Sequence, residues 1–256
     1  LKDLDILVDV GGVYDHDLKR YDHHQKGFVS TYKEEKKTKL SSAGLVFMHY
    51  GIEIIEEAIN YIFDDLKIFP LKYKQIPNAD QLKSFQDIVY DAFIESIDGI
   101  DNGLNRYPKD VKPAYNDSYT DLISRIGRLN KKPIQLNSFT QDELFVKAMS
   151  LAKEDFIYEI QYRYVDLYIS FPIVKEAIEQ RFDFHSSGKI ILLTNQCNWK
   201  DSLINVEKNL NIQGEILYVV YHDILDNNYR IQAISLNPYT YELRKDLCGD
   251  CKGLRD

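Results

Sequence analysis

The sequence predicts an α/β protein of two lobes joined by a helical connector, and three observations carry that prediction. The apolar run Ile6-Leu7-Val8-Asp9-Val10 ends in Gly11-Gly12, the pattern of a strand buried on both faces in a parallel sheet. Helical periodicity then recurs through the middle of the chain as far as Ser170. From Lys189 onward the pattern changes to strand, helix and hairpin. On this reading residues 1–138 form a parallel-sheet lobe, 139–185 a helical connector, and 186–256 a smaller α+β lobe.

The elements follow in order. Ser41 or Ser42 is a natural N-cap and Gly51 a natural residue just past a helix end, so a short helix is expected between them. Helical spacing continues from Ile52 to Leu66. It returns from Gln81 to Ile97, where Leu82, Phe85, Ile88, Val89, Ala92 and Phe93 form one apolar stripe. Residues 67–78, with Pro70 and Pro77, read as a loop, as do 107–119 and 130–138. A long periodic stretch runs from Asp142 to Ser170, where Pro172 interrupts or restarts it, and a helix from Ile173 to Phe182 follows. Strands are expected at Lys189–Thr194, Ile216–Tyr221 and Tyr229–Ser235, with a helix at Ser202–Asn209 and a turn at Asp226-Asn227-Asn228.

Bulk properties narrow the function classes. With 256 residues and 44% hydrophobic content the chain has material for a large core. It has no run near the roughly 20 apolar residues of a membrane span. The formal charge of −8 argues against a broad basic nucleic-acid surface, although bound metals and local arginines can invert the potential in one cleft. Nineteen tyrosines offer stacking surfaces, most of which are expected in cores. Cys197, Cys248 and Cys251 are too few for a disulfide framework, which fits a reducing compartment, and the lone Cys248-Gly-Asp-Cys251 pair is a weak zinc or redox signal. The chain opens on Leu1 with no signal peptide.

The chemistry concentrates around Arg20-Tyr21-Asp22-His23-His24-Gln25. Asp9 closes the first strand-like run and the Asp-His-His triplet lies about a dozen residues on, so carboxylate and imidazole converge at one sheet edge, where α/β folds bind ligands. Such donors, without thiolate, suit a hard or borderline divalent ion such as Mn²⁺. Asp98 and Asp101 are one helical turn apart, and one of them is expected to close the ligand set. The serine cap at Ser41 and Ser42 would present a positive helix end to an anion. Arg125 and Arg128 are candidate forked donors to phosphate, with Lys39 a weaker candidate. His185 and His222 lack an acidic constellation and read as structural or surface histidines.

At these residues the sequence resembles a known family. Asp9-Val10-Gly11-Gly12-Val13-Tyr14-Asp15 and Arg20-Tyr21-Asp22-His23-His24-Gln25-Lys26-Gly27-Phe28 are similar to the signature of the melanocyte proliferating gene one family, a branch of the DHH phosphoesterase superfamily. The blocks at 39–46, 97–103 and 124–130, then Arg244 and Gly253-Leu254-Arg255-Asp256, follow in family order, so the resemblance spans nearly the whole chain. It implies a DHH-type N-terminal lobe, a two-metal phosphoester hydrolase using Mn²⁺ with Mg²⁺ as the alternative, and 3′-to-5′ exonuclease activity on single-stranded RNA. Nuclear and mitochondrial RNA processing is implied too. Asp9 would bridge the ions. His24 and one of Asp98 or Asp101 would bind the second, with Asp22 and His23 as ligand, orienting group or phosphate donor.

The family's upstream His-x-Gly-x-Phe-His-x-Asp-Glu block is not found here, and the substrate segment beyond Gly-Leu-Arg-Asp is also missing. Depleted metal and weak activity are therefore expected of this chain. A small-nucleotide phosphoesterase or pyrophosphatase is the runner-up, and a non-catalytic binding module the third reading. Expected partners are single-stranded RNA or a nucleotide, with no membrane and with homo-oligomerisation left open.

Overall fold

The computed structural model describes residues 4–108, 110–112, 120–130, 139–237, 240–251 and 253. The protein is mixed α/β, with many helices and two small mixed sheets. It divides into two compact units, Leu1–Gln161 and Tyr162–Asp256. This division differs from boundaries at 138 and 185. The helix α5, Gln141–Tyr164, runs across it, and its 24 residues contain no glycine or proline that could break it.

In the first unit, β1 (Leu7–Val8) pairs in parallel with β3 (Arg20–Tyr21), and β2 (Tyr14–Asp15) pairs antiparallel with β3. The expected doubly buried strand is corrected here. Side chains alternate between faces along a strand; Leu7 is buried, whereas Leu4, Ile6, Val8 and Val10 are exposed. The apolar run therefore has one covered face among the described residues.

Helix α1 (Ser42–Asn60) is capped by Ser41, whose side chain accepts from the Gly44 N–H. It does not stop at Gly51, and a wide helical turn carries it on to Asp65. Gly51 serves packing instead, because a Cβ there would overlap Gln86. The Gln86 amide donates to the carbonyls of Phe47 at 2.8 Å and Met48 at 3.3 Å. A buried amide needs such partners. Helix α2 (Ala79–Val89) starts from a reciprocal Asn78–Gln81 capping box. A wide turn at Tyr90–Ile94 then leads directly into α3 (Glu95–Asp101). Leu82, Phe85, Val89 and Ile94 are its buried stripe. Phe156 of α5 packs edge-on against Phe47 and Phe93. Helix α4 (Leu122–Asn130) is joined to α5 through Arg125 and Asp155.

The second unit begins in the last turn of α5. Pro172 lies in the first turn of α6 (Phe171–Glu179), where a missing N–H is harmless, so the predicted interruption is a restart. After the short α7 (Arg181–Phe184), β4 (Ile190–Leu193) runs parallel to β5 (Tyr218–Asp223). A hairpin then joins β5 to β6 (Asn228–Ala233). Helix α8 (Trp199–Leu210) lies between β4 and β5 in the chain and ends on Asn211 in the left-handed region, at φ 56°. Val174, Ile178, Ile191, Leu203, Val206, Ile216 and Val219 form one core.

Within that core, buried Glu207 meets Arg244 through two contacts of 2.7 Å and accepts the N–H groups of Gly214 and Ile216. Cys197 is a free thiol, and Cys248 is disulfide-bonded, although three cysteines and a reducing compartment predict no disulfide. The Leu254-Arg255-Asp256 end of the family motif, with 113–119 and 131–138, lies outside the described residues. No helix among the described residues is long and apolar enough to cross a membrane.

Candidate metal centre

Asp9 sits just past β1 with φ at 64°, a left-handed conformation that aspartate tolerates better than most residues. Its N–H donates to the Tyr21 carbonyl, extending the parallel ladder and placing the carboxylate beside the end of β3. Gly11 and Gly12, both at positive φ, turn the chain so that the Gly12 N–H donates to Asp22 Oδ2 at 2.7 Å. Asp22 Oδ1 accepts from the His24 backbone at 3.0 Å and meets His24 Nδ1 at 2.7 Å. Burial alone would raise the Asp22 pKa, but these donors outweigh it and hold the carboxyl below its ordinary range. The bond to Asp22 raises the His24 pKa in return. Asp22 is thus buried with both oxygens engaged, Oδ2 by Gly12 and Oδ1 in orienting His24, whose Nε2 edge is left for an external ligand.

His23 is different. Its side chain is only 7% exposed, and Nε2 lies 3.0 Å from Asp101 Oδ2 and 3.8 Å from Asp9 Oδ1. No hydrogen bond is aligned at that nitrogen, although it is buried. Leaving such a group unpaired costs about 1–3 kcal/mol. A lone pair there would face two carboxylate oxygens, and a divalent cation among the three would remove that repulsion. Asp9, His23 and His24 can also bring one donor atom each to within 4.8 Å of one another. The His24 nitrogen nearest Asp9 is Nδ1, which Asp22 also engages, and Asp101 Oδ2, 3.0 Å from His23 Nε2, is a further candidate donor. The oxygen and nitrogen donor set therefore fits a hard or borderline ion.

The structure separates the two carboxylates that spacing left undecided. Asp98 is fully buried; its Oδ1 accepts from the Ser41 N–H at 2.9 Å and the Ser41 hydroxyl at 2.6 Å, and its Oδ2 accepts from Tyr90 at 2.9 Å. Burial nevertheless outweighs these bonds and raises its pKa. A Cβ on Gly44 would collide with this carboxylate, which explains the glycine in the first turn of α1. Asp98 thereby pins α3 to the start of α1. One turn later Asp101, about half exposed, reaches His23.

The remaining candidates fall into place around this pair. Ser41 is spent on Asp98 and on its cap, so it presents no hydroxyl to an anion. Ser42 donates to Asp9 Oδ1 at 2.9 Å and so orients that carboxylate. Arg125 Nη1 contacts both oxygens of Asp155 at 2.8 Å, so this guanidinium is taken up by α5. Arg128 is exposed on the same helix. Lys39 contributes its backbone carbonyl to the Asn102 amide. Tyr90 was not singled out from the sequence, although it lies eight residues before Asp98 and so on nearly the same helical face. His185 bonds Ser187 and His222 meets Asn227, as expected of surface histidines.

Comparison with known proteins gives this geometry a family. The model MYG1_exonuc, described as Uncharacterised protein family (UPF0160), matches residues 1–256. The chain belongs to that family. It is similar to the MYG1 protein of Dictyostelium discoideum, 35% identical over 98% of this chain and 71% of that protein. The Saccharomyces cerevisiae MYG1 protein is 36% identical over 98% of this chain and 71% of its own length. The Homo sapiens protein called MYG1 exonuclease is 32% identical over 100% of this chain and 65% of its own. No solved structure matches.

Proposed function

We propose that the protein is a metal-dependent phosphodiester hydrolase that removes nucleotides from the 3′ end of single-stranded RNA. The observation that carries this reading is the buried His23 Nε2, which has no aligned hydrogen bond although Asp101 Oδ2 stands 3.0 Å and Asp9 Oδ1 3.8 Å away. Family members named exonuclease support the polymer substrate. Asp9, His23 and Asp101 would hold one divalent ion, Mn²⁺ or Mg²⁺, and exposed Asp9 is the carboxylate placed to be shared with a second. Such ions supply Lewis acidity toward a phosphate oxygen and a water of lowered pKa.

Of the roles expected for His23 this proposal takes the ligand, and it gives His24, expected as a ligand and close enough to Asp9 and His23 to share an ion, the phosphate-facing role. Asp22 holds one edge of the His24 ring and raises its proton affinity, so the outer edge can donate to a phosphate oxygen. Ser42 fixes Asp9, and Asp98 fixes the helix that delivers Asp101. An intracellular role in nuclear and mitochondrial RNA processing belongs to the same proposal and rests on the family resemblance.

The test is digestion of 5′-labelled single-stranded RNA with Mn²⁺. Stepwise shortening from the 3′ end is expected, abolished by His23→Ala. His24→Ala should lower the rate by about 10²–10⁴. Hydrolysis of mononucleotide-like esters with intact RNA would overturn the polymer reading.

A further inference from the structure

Beside the candidate metal centre lies a second group of rings that the proposed chemistry does not use. His16, in the turn between β2 and β3, stacks on His49 of α1 with centroids 3.7 Å apart and planes 7° from parallel. Each imidazole is fixed at one nitrogen, His16 Nδ1 by the Tyr21 hydroxyl and His49 Nε2 by the Tyr14 hydroxyl, both at 2.8 Å. The Tyr21 hydroxyl donates on to Tyr50 at 3.0 Å. The ring contacts continue towards the centre, for Tyr14 meets Phe28 edge-on at 6.0 Å and Phe28 meets His23 edge-on at 6.3 Å.

His16 is nonetheless exposed. One ring face lies against His49, the Nδ1 edge meets Tyr21, and the Tyr50 ring stands tilted with its centroid 5.9 Å away. This is an exposed pair of stacked rings held by two tyrosines and linked through Tyr14 and Phe28 to His23.

We infer that the His16–His49 stack is a docking platform for a nucleobase of the single-stranded substrate, flanking the nucleotide whose phosphate enters the metal centre. The inference rests on the proposed nuclease reading and deepens it. Every base has a π-face, so a ring platform grips a strand without reading its sequence.

The experiment uses the 256-residue chain with metal withheld, and a short single-stranded RNA carrying 2-aminopurine at successive positions near its 3′ end. The wild-type chain should quench the probe at one position and bind with a defined affinity. His16→Ala should lose that quench and bind about tenfold more weakly, the scale of one stacked base. His16→Phe, which keeps a ring but not its bond to Tyr21, should retain the quench. Circular dichroism checks that both variants fold. An unchanged quench and affinity in His16→Ala overturns the platform alone. Absence of RNA binding by the wild-type chain overturns both the platform and the nuclease reading.

Discussion

Two regions of the molecule bury titratable groups and treat them in opposite ways. In the second unit Glu207 is buried with Arg244 against both oxygens and two backbone N–H groups in addition, so nothing is left to bind. In the first unit His23 is nearly as buried, yet its Nε2 has no aligned partner and two carboxylates stand beside it. A saturated buried pair holds a fold together, whereas on the proposed reading a buried nitrogen without an aligned hydrogen bond beside exposed acids is where an external ligand would bind. Asp98 and Asp101 repeat the contrast one helical turn apart.

The largest effect expected is at the saturated region. Arg244→Met leaves Glu207 buried without its partner and should cost about 3–5 kcal/mol of stability in urea unfolding. A loss below about 1 kcal/mol would mean that the pair is not the buried lock described here. Next comes the close approach under Asp98. Gly44→Ala should cost about 1–3 kcal/mol by overpacking, and it should weaken metal binding as well, because α3 is displaced from α1.

Asp22→Asn tests orientation rather than ligation. It should lower activity by about 10–100-fold while leaving the fold and Mn²⁺ binding intact, which circular dichroism, a rate measurement and a metal titration would show together. The smallest effect concerns His49, whose pKa is lowered by burial and by neighbouring His16. With the folded value below the ordinary 6.5, the unfolded chain takes up its proton first. Stability from neutral His49 is therefore complete above that value and is lost as the pH falls through it towards the folded pKa. Urea unfolding at several pH values should show this loss in the wild-type chain and a shallower one in His49→Gln. Parallel profiles would remove the burial argument.

Much of the second unit was legible because its signals are local. The apolar run before Tyr221, the Asp226 turn and Pro172 each declare their role within a few residues. In the first unit the Ser41 cap was equally readable. What escaped depended on partners far along the chain. Gly51 looks like a helix stop until Gln86, thirty-five residues later, is found against it. Asp98 and Asp101 lie one helical turn apart, and only Ser41 and Tyr90 distinguish the enclosed carboxylate from the open one. The grouping of Asp9 with the Asp-His-His triplet could be read from strand, glycines and spacing. The division of labour between His23 and His24 could not, since it depends on which ring nitrogen Asp22 occupies. His16 and His49 carry no shared motif, and only the fold stacks them.

The central claim is that His23, with Asp9 and Asp101, holds a divalent cation while His24 does not. Titration of Mn²⁺ into the wild-type chain, His23→Ala and His24→Ala, followed by the loss of the free-ion electron paramagnetic resonance signal, tests it most directly. Binding should be present in the wild-type chain, absent in His23→Ala and retained in His24→Ala. Retention by His23→Ala with loss in His24→Ala would contradict the account and return the ligand role to the second histidine.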